Sequence, residues 1–168
     1  MAFIGHHEHT IDAKNRLAIP ARFREQVDAD RGRCFVAVPG EPPTTLWLYT
    51  DAEFNRLAGQ ISSSLTPDED QVAFDSGFFS LAEPLEMDSQ GRVLIPDYML
   101  QATGLGREIV ICGARDHFEI RPRAEFKEAF PDAWRKFGEF RRKVRDAKPQ
   151  QGRQSGLQAG DPDQRESR

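Results

Sequence analysis

A ten-residue segment occurs twice in the chain, and this internal repeat constrains the fold more than any other feature. Residues 11–20, IDAKNRLAIP, return as residues 87–96, MDSQGRVLIP, at an offset of 76 residues. Asp, Arg, Ile and Pro stand at the same four places in both copies. The similarity continues downstream, where residues 35–38 match 109–112 and residues 46–48 match 118–120. The duplication predicts two halves with the same local fold.

Each copy is expected to contain a short strand with one buried face. Leu17 and Ile19 in the first copy, and Val93 and Ile95 in the second, alternate with residues that face the other way. Such alternation is typical of a half-buried strand.

A tight loop precedes each strand. Asn15 or Gly91 occupies the one position where closure of such a loop requires a positive φ, and Asn and Gly tolerate that conformation best. Asp12 and Asp88 are placed to accept backbone N–H groups of the loop that they open. The residue that begins the return strand, on the face away from the core, is an arginine in both copies: Arg16 and Arg92.

Proline starts, capping boxes and apolar periodicity predict five helices, at about residues 20–27, 51–60, 67–77, 96–103 and 132–147. Thr50 and Thr66 open the capping boxes, and Gly104 ends the fourth helix. The last helix is basic and amphipathic, and its Trp134 and Phe137 are expected to dock on the core or on a neighbouring subunit. Contact of its basic residues with DNA is the alternative. From residue 149 onward the composition predicts a disordered tail.

The repeat predicts an α+β fold in which strands from both halves share one pseudo-twofold sheet or small barrel. Neither copy alone could bury enough apolar surface to be stable. The expected organisation is a first half at 1–60, a connecting acidic helix at 61–80, a second half at 81–130, a basic helix at 131–148 and a tail at 149–168.

Length and charge narrow the function classes. The 168 residues are too few for a large multidomain enzyme, and no apolar run approaches the ~20 residues of a membrane helix. No secretory signal is recognised at the N-terminus, which predicts a cytoplasmic protein. The net charge is −4, but residues 51–88 hold nine acidic residues and one basic, whereas residues 134–148 hold seven basic and two acidic. A polyanion would therefore have to bind a local patch.

Motifs for catalysis, metals and cofactors are missing from the sequence. His6, His7 and His9 lack the spacing of a metal-ligand set, and no P-loop, Gly-flanked serine or G-x-G-x-x-G is present. Cys34 and Cys112 lie in apolar runs and are expected to be buried thiols. The sequence therefore predicts a protein that is not an enzyme and that holds no metal, cofactor or small-molecule ligand.

The paired motifs resemble the MraZ family of bacterial transcription regulators, over about residues 1–130. Besides the two D-x-x-x-R motifs, each followed by Ile-Pro, the resemblance includes Phe3-Ile4-Gly5 near the N-terminus, Phe23 and Phe78-Phe79-Ser80. It implies a swapped-hairpin fold related to the AbrB DNA-binding domain, with two half-domains in one chain. It also implies a ring-like homo-oligomer in the nucleoid that binds short direct repeats upstream of the division and cell-wall genes, usually as a repressor.

Carried over by position, the resemblance assigns DNA contact to the basic residues of both loops. Arg is suited to bidentate recognition of guanine, and Lys to phosphate contact. The aspartates would cap their turns and thereby orient the arginines. A solvated face, or an intramolecular Arg–Asp pair, is the alternative reading of the same arginines. The expected DNA-binding residues are Lys14, Arg16, Arg92, Arg22 and Arg24, and the expected structural residues are Asp12, Asn15, Asp88 and Gly91.

Two other functions compete with DNA binding. An AbrB-like antitoxin or protein-interaction module would use the long tail to bind a protein partner. A small-barrel enzyme would use Asp12 or Asp88 as a general base and would need a concave pocket over that carboxylate.

Overall fold

The structure is a computed structural model that describes residues 2–27, 34–61 and 68–146. The chain divides into two compact units, Met1–Ala129 and Phe130–Arg168. No helix within the described ranges is both long and apolar enough to cross a membrane.

Eight strands and six helices make up the described part of the chain, so the predicted α+β class is confirmed. In chain order they are β1 (His6–Thr10), β2 (Arg16–Ala18), α1 (Ala21–Arg24), β3 (Cys34–Pro39), β4 (Leu46–Thr50), α2 (Asp51–Ala58), α3 (Glu69–Leu81), β5 (Glu83–Glu86), β6 (Arg92–Leu94), α4 (Asp97–Thr103), β7 (Glu108–Gly113), β8 (His117–Pro122), α5 (Arg123–Arg135) and α6 (Phe137–Asp146).

Six strands form one antiparallel sheet whose order is symmetric about its centre. The order is β1-β7-β8-β4-β3-β5, and by the sequence repeat β1 corresponds to β5, β7 to β3 and β8 to β4. Strand β1 of the first half pairs with β7 of the second, and β5 of the second half pairs with β3 of the first. The two halves have therefore exchanged their outer strands, as a swapped-hairpin fold requires.

The strand registers repeat with the same symmetry. Thr10 lies opposite Glu108 at one edge of the sheet, and its counterpart Glu86 lies opposite Cys34 at the other. Strands β2 and β6 form a separate two-stranded ladder in which Leu17 lies opposite Val93. The pseudo-twofold relation expected from the repeat is therefore present in both sheets.

The main core lies between the six-stranded sheet and the β2–β6 ladder. Phe23 packs edge-on against Phe3, with ring centroids 5.2 Å apart, and lies 5.3 Å from Phe118. Leu17 and Val93 are fully buried beside them. Burial of each such side chain contributes roughly 1.5–3 kcal/mol to folding, so this cluster is what joins the two halves.

A smaller apolar cluster lies on the opposite face of the sheet. Val38 and Tyr49 are buried there beneath Phe54 of α2 and Phe78 of α3. The rings of Phe54 and Phe78 are nearly parallel, with centroids 6.1 Å apart. This contact fixes α3 to the first unit through one of its faces.

The ends of two predicted helices are confirmed. Thr50 caps α2, because its Oγ1 accepts a hydrogen bond from the backbone N–H of Glu53 at 3.2 Å. Helix α4 ends at Gly104, which has a φ of 66°.

Two other helices differ from prediction. Helix α1 is shorter than expected and ends at Arg24. Helix α3 begins at Glu69 and continues to Leu81, with Asp68 as its N-cap; the predicted cap Thr66 lies outside the described residues. Asp68 Oδ1 accepts from the Gln71 N–H at 2.8 Å, so an aspartate does what the threonine was expected to do.

The prediction of one basic helix at 132–147 is wrong. Helix α5 begins nine residues earlier, at Arg123, and contains Pro131, and a second helix, α6, begins at Phe137. The apolar spacing of three and four residues continues across the break at Lys136, so periodicity could not reveal it. The predicted disordered tail lies outside the described residues.

Candidate nucleic-acid interface

The first loop is closed by the carboxylate of Asp12. Its Oδ1 accepts hydrogen bonds from the backbone N–H groups of Lys14 at 2.8 Å and Arg16 at 2.9 Å. Its Oδ2 accepts from Arg16 Nε at 2.8 Å, and Arg16 Nη2 lies 2.7 Å away. The aspartate therefore both caps the turn and holds one edge of the guanidinium.

The second loop repeats this arrangement almost atom for atom. Asp88 Oδ1 accepts from the N–H groups of Gln90 and Arg92 at 2.9 and 3.0 Å. Its Oδ2 accepts from Arg92 Nε at 2.9 Å, with Nη2 2.8 Å away. The expectation that each aspartate accepts the backbone of its own loop is confirmed.

Both loops turn through the residue expected to carry a positive φ. The φ of Asn15 is 58° and that of Gly91 is 75°. Asn15 N–H donates to the Asp12 carbonyl at 3.0 Å, and Gly91 N–H donates to the Asp88 carbonyl at 2.9 Å. The two loops are therefore the same rigid turn with different residues at the left-handed position.

The hydrogen bonds stabilise the charged form of each aspartate. Those from the Arg16 backbone and side chain, with a smaller one from the Lys14 backbone, lower the pKa of Asp12 to about 2. The pKa of Asp88 is also lowered, first by the Arg92 side chain and then by its backbone N–H. Both carboxylates are thus ionised at neutral pH.

The two arginines lie on the outer face of the β2–β6 ladder. Arg16 lies opposite Leu94 and Arg92 lies opposite Ala18, so the arginines stand on one diagonal of that face. Their side chains are 34% and 26% exposed. From strand geometry their Cα atoms are roughly 8 Å apart. They point away from the core, as predicted, and each is also paired with its own aspartate.

Residues of the second half hold the first loop in place. Asn15 Nδ2 donates to Asp97 Oδ1 at 2.7 Å. Arg107 Nη1 donates to the Asp12 carbonyl at 2.6 Å, and the side chain of Arg107 is exposed beside the loop. The backbone of the first loop is therefore fastened from two sides by the other half of the chain.

The second loop is contacted by Arg24 from the first half. A Cβ at Gly91 would clash with the Arg24 guanidinium, so that group lies directly against the loop backbone. Arg24 was expected to extend the patch of the first motif, but the exchange of halves places it beside the second. Arg22 is exposed on the same short helix.

The tips of the two loops differ in charge. Lys14 is exposed at the first tip, and the equivalent residue of the second is the neutral Gln90. The tips therefore differ by one positive charge at this position, while one further arginine lies beside each loop, Arg107 at the first and Arg24 at the second.

Sequence reasoning missed Arg107 and Asp97. Arg107 precedes β7 in the chain as Arg33 precedes β3, and both pairs are related by the same offset of 74 residues. An arginine at this place in both copies was therefore a signal that the repeat contained. Asp97 corresponds to Ala21 and had no such signal.

The histidines of β1 face in different directions. Burial and the nearby His7 lower the pKa of His9, and the ring of His7 packs edge-on against Phe23 at 5.5 Å. His6 faces the other side of the sheet, where its ring lies 5.1 Å from that of Phe126. No group of three metal-ligating side chains occurs within residues 2–27, 34–61 and 68–146.

Neither cysteine is as buried as expected. Cys34 and Cys112 are both partly exposed. Burial raises the pKa of Cys34, and it raises that of Cys112 to about 12, so both thiols are protonated at neutral pH.

The geometry argues against either aspartate as a general base. A general base needs a pKa near the working pH and a lone pair directed at the substrate. The carboxylate of Asp12 has a pKa of about 2, and four N–H groups of Lys14 and Arg16 already lie against its oxygens. The carboxylate of Asp88 has the equivalent four partners in the second loop.

Comparison with known proteins places these loops in a family. The family model described as "MraZ protein, putative antitoxin-like" matches residues 2–75 and 78–139. The chain is 38% identical over 130 residues to a protein named transcriptional regulator MraZ from Ligilactobacillus salivarius, covering 77% of this chain and 87% of that protein. It is 35% identical over 137 residues to the protein of that name from Heliobacterium modesticaldum (82% and 87% covered), and 40% identical over 124 residues to the one from Roseiflexus castenholzii (70% and 79% covered).

Proposed function

The chain belongs to the MraZ family, and from this premise we propose that it is a sequence-specific DNA-binding transcriptional regulator that reads DNA with the outer face of its β2–β6 ladder. The relatives matched over most of its length are named transcriptional regulators. The single observation that carries the proposal is the pair of rigid loops that orient Arg16 and Arg92 on one exposed face.

The Arg–Asp pairs are compatible with base recognition. Each guanidinium uses its side edge, Nε and one N–H of Nη2, for the aspartate. Its end edge, formed by Nη1 and the other N–H of Nη2, has no hydrogen-bond partner in the described part of the chain. That edge is a planar fork, and such a fork matches O6 and N7 of guanine. An aspartate that fixes the fork in advance lowers the entropy lost on binding.

Phosphate contacts would position the arginines. Lys14 and Arg107 stand beside the first loop, and Arg22 and Arg24 lie on α1. Each neutralised phosphate steepens the dependence of log affinity on log salt by about 0.9, so one chain with a few contacts is a weak binder. A homo-oligomeric ring that presents many copies to short direct repeats would bind tightly through effective concentration.

The proposed target is the DNA upstream of the division and cell-wall gene cluster, where binding would repress transcription. The protein would then be cytoplasmic and associated with the nucleoid. The relatives bear the name of regulators rather than enzymes, in keeping with aspartates that serve the loop and not a reaction.

Fluorescence anisotropy with DNA from upstream of the protein's own gene tests the proposal. An Arg16→Ala, Arg92→Ala double variant should lose at least tenfold in affinity and most of its preference for that DNA over a scrambled duplex. Arg56→Ala is the matched control, because Arg56 also pairs with a carboxylate, that of Glu53, but lies on α2. Unchanged affinity in the double variant, with a folded circular dichroism spectrum, would refute the site.

A further inference from the structure

The outer face of the β2–β6 ladder carries one large apolar side chain. Strand alternation places Arg16 and Ala18 of β2, and Arg92 and Leu94 of β6, on this face. By the repeat Leu94 corresponds to Ala18, so the second half presents an isobutyl group where the first presents a single methyl group. A lone exposed leucine is ordinary on a protein surface, but this one, 59% exposed, lies within the face that we propose reads DNA.

Leu94 lies directly beside Arg16. The two residues are opposite each other in the ladder register. The neighbouring Ile95 N–H donates to the Asn15 carbonyl at 2.9 Å, so that adjacent pair is the hydrogen-bonded one. Hydrogen-bonded and non-hydrogen-bonded pairs alternate along an antiparallel ladder, and the non-hydrogen-bonded pairs are the closer, with Cα atoms about 4.5 Å apart. Arg16 and Leu94 form such a close pair.

The guanidinium of Arg16 is bound to its own loop and leaves Leu94 uncovered. Arg16 Nε and Nη2 lie 2.8 and 2.7 Å from Asp12 Oδ2, which belongs to the loop before β2. The face therefore presents two different recognition groups side by side. One is a planar fork of N–H donors, and the other is an apolar side chain.

A leucine at this place limits which base can lie against it. The C5-methyl of thymine is the apolar member of the major-groove code, and the other groups of that code are hydrogen-bond donors and acceptors. A donor or acceptor pressed against Leu94 would lose its water and gain no hydrogen bond, which costs free energy. Thymine is therefore the base whose edge suits this side chain.

We propose that Leu94 is a specificity-determining residue, which contacts the C5-methyl of a thymine in the base pair next to the guanine held by Arg16. Successive base pairs are about 3.4 Å apart along the DNA axis, a step that suits two side chains attached about 4.5 Å apart. The side chain beside Arg92 is that of Ala18, which is too short to make the equivalent contact. The thymine requirement therefore belongs to the Arg16 end of the face.

This inference rests on the proposed function, because it needs the ladder face to lie in the major groove. It adds a contact that neither the arginines nor their aspartates can supply. A failure of the contact would leave the role of the arginines untouched, so the two proposals can fail separately.

Removal of single methyl groups from the DNA tests the contact directly. In the DNA site bound upstream of the protein's own gene, each thymine is replaced in turn by deoxyuridine, which lacks the methyl group and pairs in the same way. In fluorescence anisotropy the native chain should lose about fourfold in affinity at one thymine, the value of one buried methyl group. The loss should be absent at thymines away from the guanine that Arg16 contacts.

Leu94→Ala connects that loss to one side chain. The variant should bind the native site at least about fourfold more weakly, and should not distinguish thymine from deoxyuridine at the sensitive position, since the two changes remove one shared contact. Ile4→Ala is the matched control, because it shortens an aliphatic side chain that is 51% exposed outside the ladder. This control should keep both the native affinity and the native preference for thymine. Thermal unfolding checks that both variants remain folded.

A second readout restores the methyl group on a different base. With cytosine at the sensitive position the native chain should bind weakly, and 5-methylcytosine should recover about fourfold in affinity. Leu94→Ala should bind the two cytosine sites equally. A purely structural role of Leu94 would change the affinity for both sites by the same factor and leave the preference for the methyl group intact.

Three outcomes would overturn the inference. If no deoxyuridine weakened the native chain, or if Leu94→Ala kept the native preference for thymine, Leu94 would not contact the methyl group, although the arginines could still read the site. If Leu94→Ala weakened binding in a site where the native chain ignores the methyl group, Leu94 would contact the sugars instead. A native chain that bound the upstream DNA no better than a scrambled duplex would overturn the proposed function together with this inference.

Discussion

The side-chain amide of Asn15 donates a hydrogen bond to Asp97 Oδ1 at 2.7 Å, although the two residues are 82 positions apart in the chain. Asp97 begins helix α4 of the second half. Arg24 of the first half lies against Gly91 of the second loop. Each half therefore supports the loop of the other, and the two loops hold their positions only while the halves stay together.

The left-handed φ of Asn15 leads to a first prediction. Asn15→Gly and Asn15→Ala both lose the bond to Asp97, but only alanine is strained at a φ of 58°. Asn15→Ala should therefore be about 1 kcal/mol less stable than Asn15→Gly in urea unfolding. At Asn55, in the helical α2, the order should reverse, because alanine is the better helix former. Equal stability of the two Asn15 variants would contradict the role of φ.

The lowered pKa values of Asp12 and Asp88 predict how stability depends on pH. Asp12 titrates at about 2 in the folded chain and near 3.9 when unfolded, so the folded state binds fewer protons in between. The stabilisation is complete above the unfolded pKa and is lost as the pH falls through the folded pKa. An Asp12→Asn, Asp88→Asn variant should be less stable than the native chain at pH 7. The difference in stability between the native chain and the variant should shrink as the pH falls from about 4 to about 2, as measured by thermal unfolding. A difference that stays constant over that range would exclude the mechanism.

The difference between the loop tips predicts a change in salt dependence. Lys14→Ala should flatten the slope of log affinity against log salt by about 0.9, because one phosphate contact is lost. Gln90→Lys, at the equivalent place in the second loop, should steepen the slope by the same amount and tighten binding. Titration of each variant at four salt concentrations measures both slopes. If the native chain, Lys14→Ala and Gln90→Lys all gave the same slope, neither tip would contact DNA.

The aromatic core predicts a large loss of stability at one residue. Phe23 is fully buried between Phe3 and Phe118, so Phe23→Ala should lower the free energy of unfolding by about 3–5 kcal/mol. Leu94→Ala, at a residue 59% exposed, should change it by less than about 0.5 kcal/mol. Urea unfolding at neutral pH measures both. Similar losses in the two variants would show that the ladder face is buried in solution.

Much of the first unit could be predicted because the chain contains the same information twice. The loop aspartates, the positive φ at Asn15 and Gly91, and the pseudo-twofold sheet all follow from the repeat and from local backbone chemistry. The contacts of Asp97 and Arg107 with the first loop could not be predicted from one copy. They depend on the exchange of strands between halves, which brings together residues more than 80 positions apart.

The helices show where local signals fail. Periodicity extended across Lys136 because α6 resumes with the same apolar spacing as α5. At the start of α3 the sequence predicted a cap at Thr66, whereas the N-cap is Asp68. Sequence patterns indicated which residues are helical better than they indicated where a helix begins.

The covalent joining of two similar halves gives this molecule a direction. Two identical subunits would have to present identical tips, whereas here one tip carries Lys14 and Asn15 and the other carries Gln90 and Gly91. Either tip can mutate without altering its twin. A surface with unlike ends has a polarity. A row of such surfaces that all point the same way would fit DNA repeats that all run in one direction, and would not fit a palindrome, whose two half-sites run in opposite directions.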